Sequence, residues 1–231
     1  MLKFSVAVVA AVLAAAPGAA AITITYELPT AVFTTSSGTF ATETFDGAGM
    51  TTGFNQSFSY SENGITLSYA GVDVMPHDQY DGLASGNYGA DYFGPYGGTG
   101  AGYTLSVSAP VDYFGAYFAA TDDSNMLTFY NGNTVIGSYT LQTIRAAIGG
   151  QDQDSFFANF YFTGGETYTS IKFSQTVSCC GFESDNHTVG NFSSQTGTGV
   201  VPEPATWGMM VLGFGAMGTA MRTRKRAASL A

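Results

Sequence analysis

Cys179 and Cys180 are adjacent, and they are the only cysteines in the 231 residues. Across a trans peptide their Cα atoms lie ~3.8 Å apart, short of the roughly 4.4–6.8 Å that disulfides usually span. Three states are open to them: a strained vicinal disulfide, two inert thiols, or a bridge to a second chain. A zinc site is disfavoured, since it needs four ligands and adjacent cysteines chelate poorly. The two histidines, His77 and His187, each stand among acids and amides. Either could act as a general base. Neither has a Gly-x-Ser-x-Gly nucleophile motif nearby, and a loop histidine is the plainer reading. Glycoside hydrolysis needs two carboxylates at a set separation, and nothing in the spacing of the acids selects a pair.

One acidic run has a sharper reading. Glu183-Ser184-Asp185-Asn186 concentrates oxygen donors, with no Lys or Arg beside it. Calcium takes oxygens from carboxylates, amides and backbone carbonyls, so calcium is the one cofactor the sequence suggests. The candidate ligands are Asp46, Glu183, Asp185 and Asn186. In antiparallel sandwiches the first and last strands often lie side by side, which would carry Phe45-Asp46-Gly47 toward Asp185, and Gly47 eases the turn. The set lacks the fixed spacing of an EF-hand. A solvated acidic turn with Asx hydrogen bonds is the competing reading.

Asp81 to Gly102 is interrupted by glycine at eight of its 22 positions. It reads as a long surface loop. The sharper alternative is a binding loop in which Tyr88, Tyr92 and Tyr96 offer flat rings to sugar faces.

These residues must be positioned by strands. Tyr168 to Val177 alternates apolar and polar side chains, as a strand with one wet face does. Tyr103-Leu105-Val107, Ile65-Leu67-Tyr69, Phe114-Ala116-Phe118 and Phe156-Ala158-Phe160-Phe162 repeat the period of two. Asn125 to Tyr139 reads as a hairpin turning at Asn131-Gly132. About ten strands at this spacing predict an antiparallel β-sandwich, jelly-roll-like. Leu141 to Ile148 is the one helical segment expected.

Between residues 22 and 201 the chain has two basic side chains, Arg145 and Lys172, against sixteen acidic ones. Such a surface repels nucleic acid and anionic lipid. With so few cations, the fold must rest on apolar burial and backbone hydrogen bonds.

The ends of the chain are addresses. Lys3 precedes an apolar core from Phe4 to Ala16 and a small-residue site at Ala19-Ala20-Ala21. Residues 1–21 therefore read as a secretory signal peptide, with Ile22 as the mature N-terminus. Residues 205–221 carry no charge. Seventeen residues is the short limit for a helix crossing a ~30 Å hydrocarbon core. Arg222, Arg224, Lys225 and Arg226 then hold residues 222–231 on the cytoplasmic side. Pro202 and Pro204 keep the stretch before the span extended, where a processing enzyme can grip it. A plain single-span anchor is the simpler alternative.

Pro202-Glu203-Pro204, Trp207, the apolar run and the basic end together resemble the PEP-CTERM sorting signal in its PEPxxWA variant. Gly208 stands where that variant usually has Ala. The resemblance implies recognition by an exosortase, a membrane-embedded cysteine transpeptidase, and removal of the tail. It implies a transient stay in the inner membrane. The destination is then the cell surface or extracellular polysaccharide of a Gram-negative bacterium. Phe45-Asp46-Gly47, Phe114-Gly115-Ala116-Tyr117-Phe118, Leu127-Thr128-Phe129-Tyr130-Asn131-Gly132 and Gly181-Phe182-Glu183-Ser184-Asp185-Asn186 are similar to segments of a family of exosortase-dependent surface proteins. That family implies a β-sandwich without established chemistry, similar in architecture to carbohydrate-binding jelly rolls. Fold alone does not fix function.

The sequence thus predicts an all-β protein. Its sandwich spans 22–195, and residues 196–204 form a linker with the sorting motif. A C-terminal transmembrane helix and a basic tail complete the chain. Its expected role is that of a non-catalytic surface or matrix protein, with exopolysaccharide as the partner and no nucleic acid. The rival from another class is a secreted polysaccharide hydrolase. Intact mass of surface-exported protein tests the addresses: the expected species begins at Ile22 and lacks Trp207 and all that follows, and a mass that includes Arg222–Arg226 overturns the sorting expectation.

Overall fold

The computed structural model describes residues 11–13, 22–27, 38–47, 50–77, 86–93, 98–119, 121–147, 155–163, 165–177 and 181–191. The chain divides into two units, 1–193 and 194–231, and every described residue lies in the first. In chain order the strands are β1 (Ala11–Leu13), β2 (Ile22–Glu27), β3 (Thr39–Glu43), β4 (Gly53–Glu62), β5 (Ile65–Pro76), β6 (Asn87–Tyr92) and β7 (Tyr103–Val111). There follow β8 (Tyr113–Ala119), β9 (Asn125–Asn131), β10 (Thr134–Thr140), helix α1 (Leu141–Ala147), β11 (Phe156–Phe162), β12 (Tyr168–Gln175) and β13 (Gly181–Asn191).

All pairings among these strands are antiparallel. Hydrogen bonding runs unbroken in the order β1-β2-β11-β8-β13-β6-β5-β7-β12-β9-β10, with β3 on β13 and β4 on β5. The antiparallel all-β architecture is the one expected, but its two layers are one sheet folded over. Two strands make the fold by changing partners halfway. β5 pairs with β7 through Leu67–Ala70 and with β6 through Asp73–Pro76. Between these halves stands Gly71 at φ 82, a backbone region glycine enters without steric cost. β13 pairs with β6 through Gly181–Ser184 and with β3 through His187–Asn191. Its register against β8 slips between Asp185 and Thr188, where Asn186 has φ 52. A bulge of this kind bends a strand and increases its twist.

The layers meet through aromatic rings. Phe114 of β8 lies 6.0 Å from both Phe129 of β9 and Phe173 of β12, and Phe160 of β11 lies 5.3 Å from Phe129. None of these strand pairs is hydrogen-bonded, so the contacts run from layer to layer. Burying one such side chain contributes about 1.5–3 kcal/mol. β12 shows the expected alternation: Ile171 and Phe173 are buried and Lys172 is exposed. α1 starts where Thr140 Oγ1 accepts the Thr143 N–H at 3.1 Å, an N-cap. Its Leu141 and Ile144 are buried.

Two local expectations are corrected. The Gly-rich stretch is not all loop, because β6 lies inside it, paired to β5 and β13. Gly89 is strand there because the ring of Phe45 occupies the space of its missing side chain. A Cβ on Gly89 would stand 2.5 Å from Phe45 Cζ. The β9–β10 turn is Gly132-Asn133, one residue later than expected, since Asn131 pairs with Thr134. Gly132 has φ 59 while Asn133 is not in the positive region, as a II′ turn requires. Ala11–Leu13, within the expected signal peptide, pairs with Ile22–Ile24. In the full chain these apolar residues satisfy the open edge of β2. The described residues include no helix long and apolar enough to cross a membrane, and 205–221 lies outside them.

Gly89→Ala tests the packing against Phe45. It is expected to cost about 1–3 kcal/mol in denaturant unfolding. Gly47→Ala, where an added Cβ meets nothing within 4 Å, should leave the midpoint in place.

Candidate functional site

β13 carries more of the buried polar chemistry than any other described strand. Glu183, Ser184, Asp185, His187 and Thr188 are all buried along it. His187, 0% exposed, stacks on Phe173 at 5.0 Å and meets Phe45 edge-on at 5.1 Å. Its Nδ1 is 3.1 Å from Tyr69 Oη and its Nε2 is 2.9 Å from Ser184 Oγ. Ser184 Oγ is also 2.8 Å from Tyr103 Oη and donates to Gly89 O at 3.5 Å. One proton assignment satisfies the chain. Tyr69 donates to Nδ1, while the Nε2–H and Tyr103 both donate to Ser184. Burial holds the imidazole neutral, pushing its pKa down from 6.5 to about 3. Burial likewise pushes the Tyr69 and Tyr103 hydroxyls well above their usual range, keeping them donors.

The Ser184–His187 distance is that of a nucleophile and its base. The arrangement does not act as one. In this assignment Nε2 carries the proton that a base would need to accept, and both side chains are sealed in the core.

The acids around this chain are answered by N–H and O–H groups. Glu43, opposite His187 in the β3–β13 ladder, accepts the Phe45 N–H at 2.6 Å. Asp73 accepts the Asn55 and Tyr92 N–H groups at 2.8 and 3.0 Å. Glu183 accepts the Tyr92 hydroxyl at 2.5 Å, and that hydroxyl lies 2.7 Å from Tyr88 Oη. Burial raises the pKa of Glu43 and of Asp91.

The expected calcium set is therefore corrected. β3 does lie along β13, as a first and last strand should. Asp46, however, is exposed and takes the Asn87 N–H at 2.7 Å. Asp185 accepts from its own neighbour, the Asn186 N–H, at 2.6 Å, and Glu183 is bound to Tyr92. No group of three His, Cys, Asp or Glu side chains among the described residues could hold a metal ion. The ring expectation is corrected too. Tyr88 and Tyr92 are 1% and 8% exposed, so they present no face to a sugar. His187, expected in a loop, is in the core. Tyr96, Cys179 and Cys180 lie outside the described residues, as do Pro202, Glu203, Pro204, Trp207, Arg222, Arg224, Lys225 and Arg226.

On the outer face of the β7-β12-β9 layer is a shallow, open hollow of about 270 Å³. Thr104, Ser170 and Lys172 form its floor, with Tyr130, Gly132 and Asn133 at one side. Pairing sets these neighbours: Lys172 opposite Thr104, Ser170 opposite Tyr130. The hairpin tip is pinned to β12 by Gly132 N–H on Thr169 Oγ1 at 2.9 Å. An aromatic ring, hydroxyls, an amide and a cation meet here on an exposed surface. The wet alternation of β12 and the scarcity of cations were the signals for it.

Residues 200–225 match the family model of the PEP-CTERM protein-sorting motif. The chain therefore carries a PEP-CTERM sorting signal, which implies export, a transient stay at the membrane and an exosortase as processing partner. No curated protein and no solved structure matches the chain.

The buried histidine predicts an acid response with a definite sign. Its folded pKa is depressed, so its contribution to stability is complete above pH 6.5 and is lost as pH falls toward 3. Glu43 and Asp91 act the other way, their raised values favouring the protonated fold at lower pH. Taken alone, the histidine loses about 2 kcal/mol between pH 6.5 and about 5, and the two carboxylates oppose that loss. Urea midpoints at pH 7 and 5 should show that loss, and His187→Gln should flatten it. An equal slope in the variant places the titration elsewhere.

Proposed function

We propose that this chain is a non-catalytic protein displayed at the cell surface or in the surrounding matrix, where the hollow beside Tyr130 and Lys172 holds exopolysaccharide. The observation that carries the reading is the hollow's composition. Tyr130 supplies a flat ring for a sugar face. Thr104, Ser170 and Asn133 supply hydroxyl and amide groups for sugar hydroxyls. Lys172 adds the one charge that an acid-rich surface otherwise lacks, and so favours a glycan bearing carboxylates. The open shape suits a polymer lying across the face rather than a small molecule enclosed in a pocket.

The reading is favoured over a secreted hydrolase by where the acids are. Glu43, Asp73, Asp91, Glu183 and Asp185 are buried, and those around His187 answer hydrogen bonds within the fold. Lys172, Tyr130 and Asn133 of the hollow are not carboxylates, and cannot flank a glycosidic bond as acid and base.

Affinity electrophoresis of the exported protein through gels containing the producing cell's own exopolysaccharide tests this. Retardation is expected, and Tyr130→Ala and Lys172→Ala should each weaken it about tenfold, the loss of roughly 1.4 kcal/mol. Mobility unchanged by polysaccharide, or retardation unaffected by both variants, removes the proposal.

A further inference from the structure

Two amides, one buried and one half-buried, stand at the end of the core where β9 and β12 face β6 and β13. Asn125, the first residue of β9, is 0% exposed. Gln175, the last residue of β12, is its direct partner across the ladder. Both donate to the opposite layer. Asn125 Nδ2 donates to Gly181 O at 3.2 Å. Gln175 Nε2 donates to Asp91 O at 2.8 Å, with Asp91 Oδ2 at 3.4 Å. Only the nitrogen end of each amide can make these contacts, so the positions of the oxygens follow. Asn125 Oδ1 and Gln175 Oε1 are buried with no hydrogen-bond partner, and so is the adjacent Ser124 Oγ. Beside them Asp91 is 2% exposed, its Oδ1 accepting the Gly102 N–H at 3.1 Å.

Each unanswered buried acceptor costs about 1–3 kcal/mol. Here two of them stand at the layer edge where Asp91 is buried, with the unpartnered Ser124 hydroxyl beside them. A concentration of unanswered oxygens around a carboxylate suits a hard cation. We propose that Asp91, Asn125 and Gln175 hold a calcium ion between the two layers, with Ser124 at its margin.

The geometry admits it. Direct cross-strand neighbours bring their Cβ atoms within about 5.5 Å. Two oxygens bound to one calcium at 2.3–2.6 Å can lie up to about 5 Å apart. One carboxylate and several neutral oxygens place the site in the weak class of extracellular modules, with half-saturation on the order of 0.1–1 mM. A cation there also relieves the burial of Asp91. Lys172, which acts electrostatically on Asp91, competes for that charge and keeps the affinity low. The site is independent of the polysaccharide reading, since none of its ligands lines the hollow.

Terbium is the probe, bound to the full chain in detergent and excited through tyrosine, with Tyr92 next to Asp91 in sequence. Sensitised emission that millimolar calcium displaces is expected. Asn125→Asp keeps the shape and adds a charge, and should tighten the calcium competition on the order of tenfold. Asn125→Leu should abolish the signal, and Asp46→Asn, on the surface, should leave it unchanged. No displaceable emission in the native chain, or emission lost with Asp46→Asn and kept with Asn125→Leu, overturns the site. The oxygens are then answered by buried water. If Asn125→Leu fails to fold, the shift in Asn125→Asp decides alone.

Discussion

The acids of this sandwich have almost no cations to meet. Between residues 22 and 201 there are sixteen of them and two basic residues, and Arg145 is already paired with Asp123. A buried carboxylate without a counter-charge must be solvated by donors of the fold itself. Tyrosine hydroxyls and backbone N–H groups are the donors here, and their placement constrains the architecture. Tyr92 must come to Glu183 and the turn after β3 must bring the Phe45 N–H to Glu43. The price is visible in the raised pKa of Glu43 and Asp91.

β13 is where this constraint is strongest. It is flanked on both sides along its length, by β8 on one side and by β6 and then β3 on the other. It is also buried on both faces over most of its length, and a strand so buried normally reads as a continuous apolar run. This one reads Glu-Ser-Asp-Asn-His-Thr at 183–188. Its polar groups are tolerated because the bulge at Asn186 aims His187 into a cage of Phe45, Tyr69, Phe114 and Phe173. There the ring nitrogens find hydroxyls and the ring faces find other rings. The His187 chain through Tyr69, Ser184 and Tyr103, with both ring nitrogens answered, specifies one arrangement of its strands more sharply than apolar packing can.

That is also why the sequence was legible in some places and opaque in others. β12 could be read because its period of two depends only on its own residues. The β9–β10 hairpin was equally open, announced by Asn131-Gly132, although its turn falls one residue later. β6 could not be read, because Gly89 is small to admit Phe45 from another part of the chain. β13 could not be read as core, because its partners are remote: Tyr69 lies 118 residues from His187 and Tyr103 lies 81 from Ser184. Acids and amides in a row look like a solvated turn until the hydroxyls that cover them are known. The hollow at Tyr130 was half legible. The wet face of β12 was plain, while the offset of the hairpin tip by one residue, which sets Asn133 beside it, depends on turn geometry.

The same shortage of cations that shapes the interior gives the exterior its direction. An acid-rich surface repels any anionic polymer from most approaches, and the repulsion is weakest where positive charge stands. Arg145 is committed to Asp123, while Lys172 is exposed on the wet face of β12. On the proposed reading, a carboxylated glycan at the cell surface meets one favourable place on the described fold. There the strand order has also set a tyrosine ring within reach. In that proposal charge steers the encounter and the ring holds it, and both depend on β12 keeping the register that buries Ile171 and Phe173 and turns Lys172 outward.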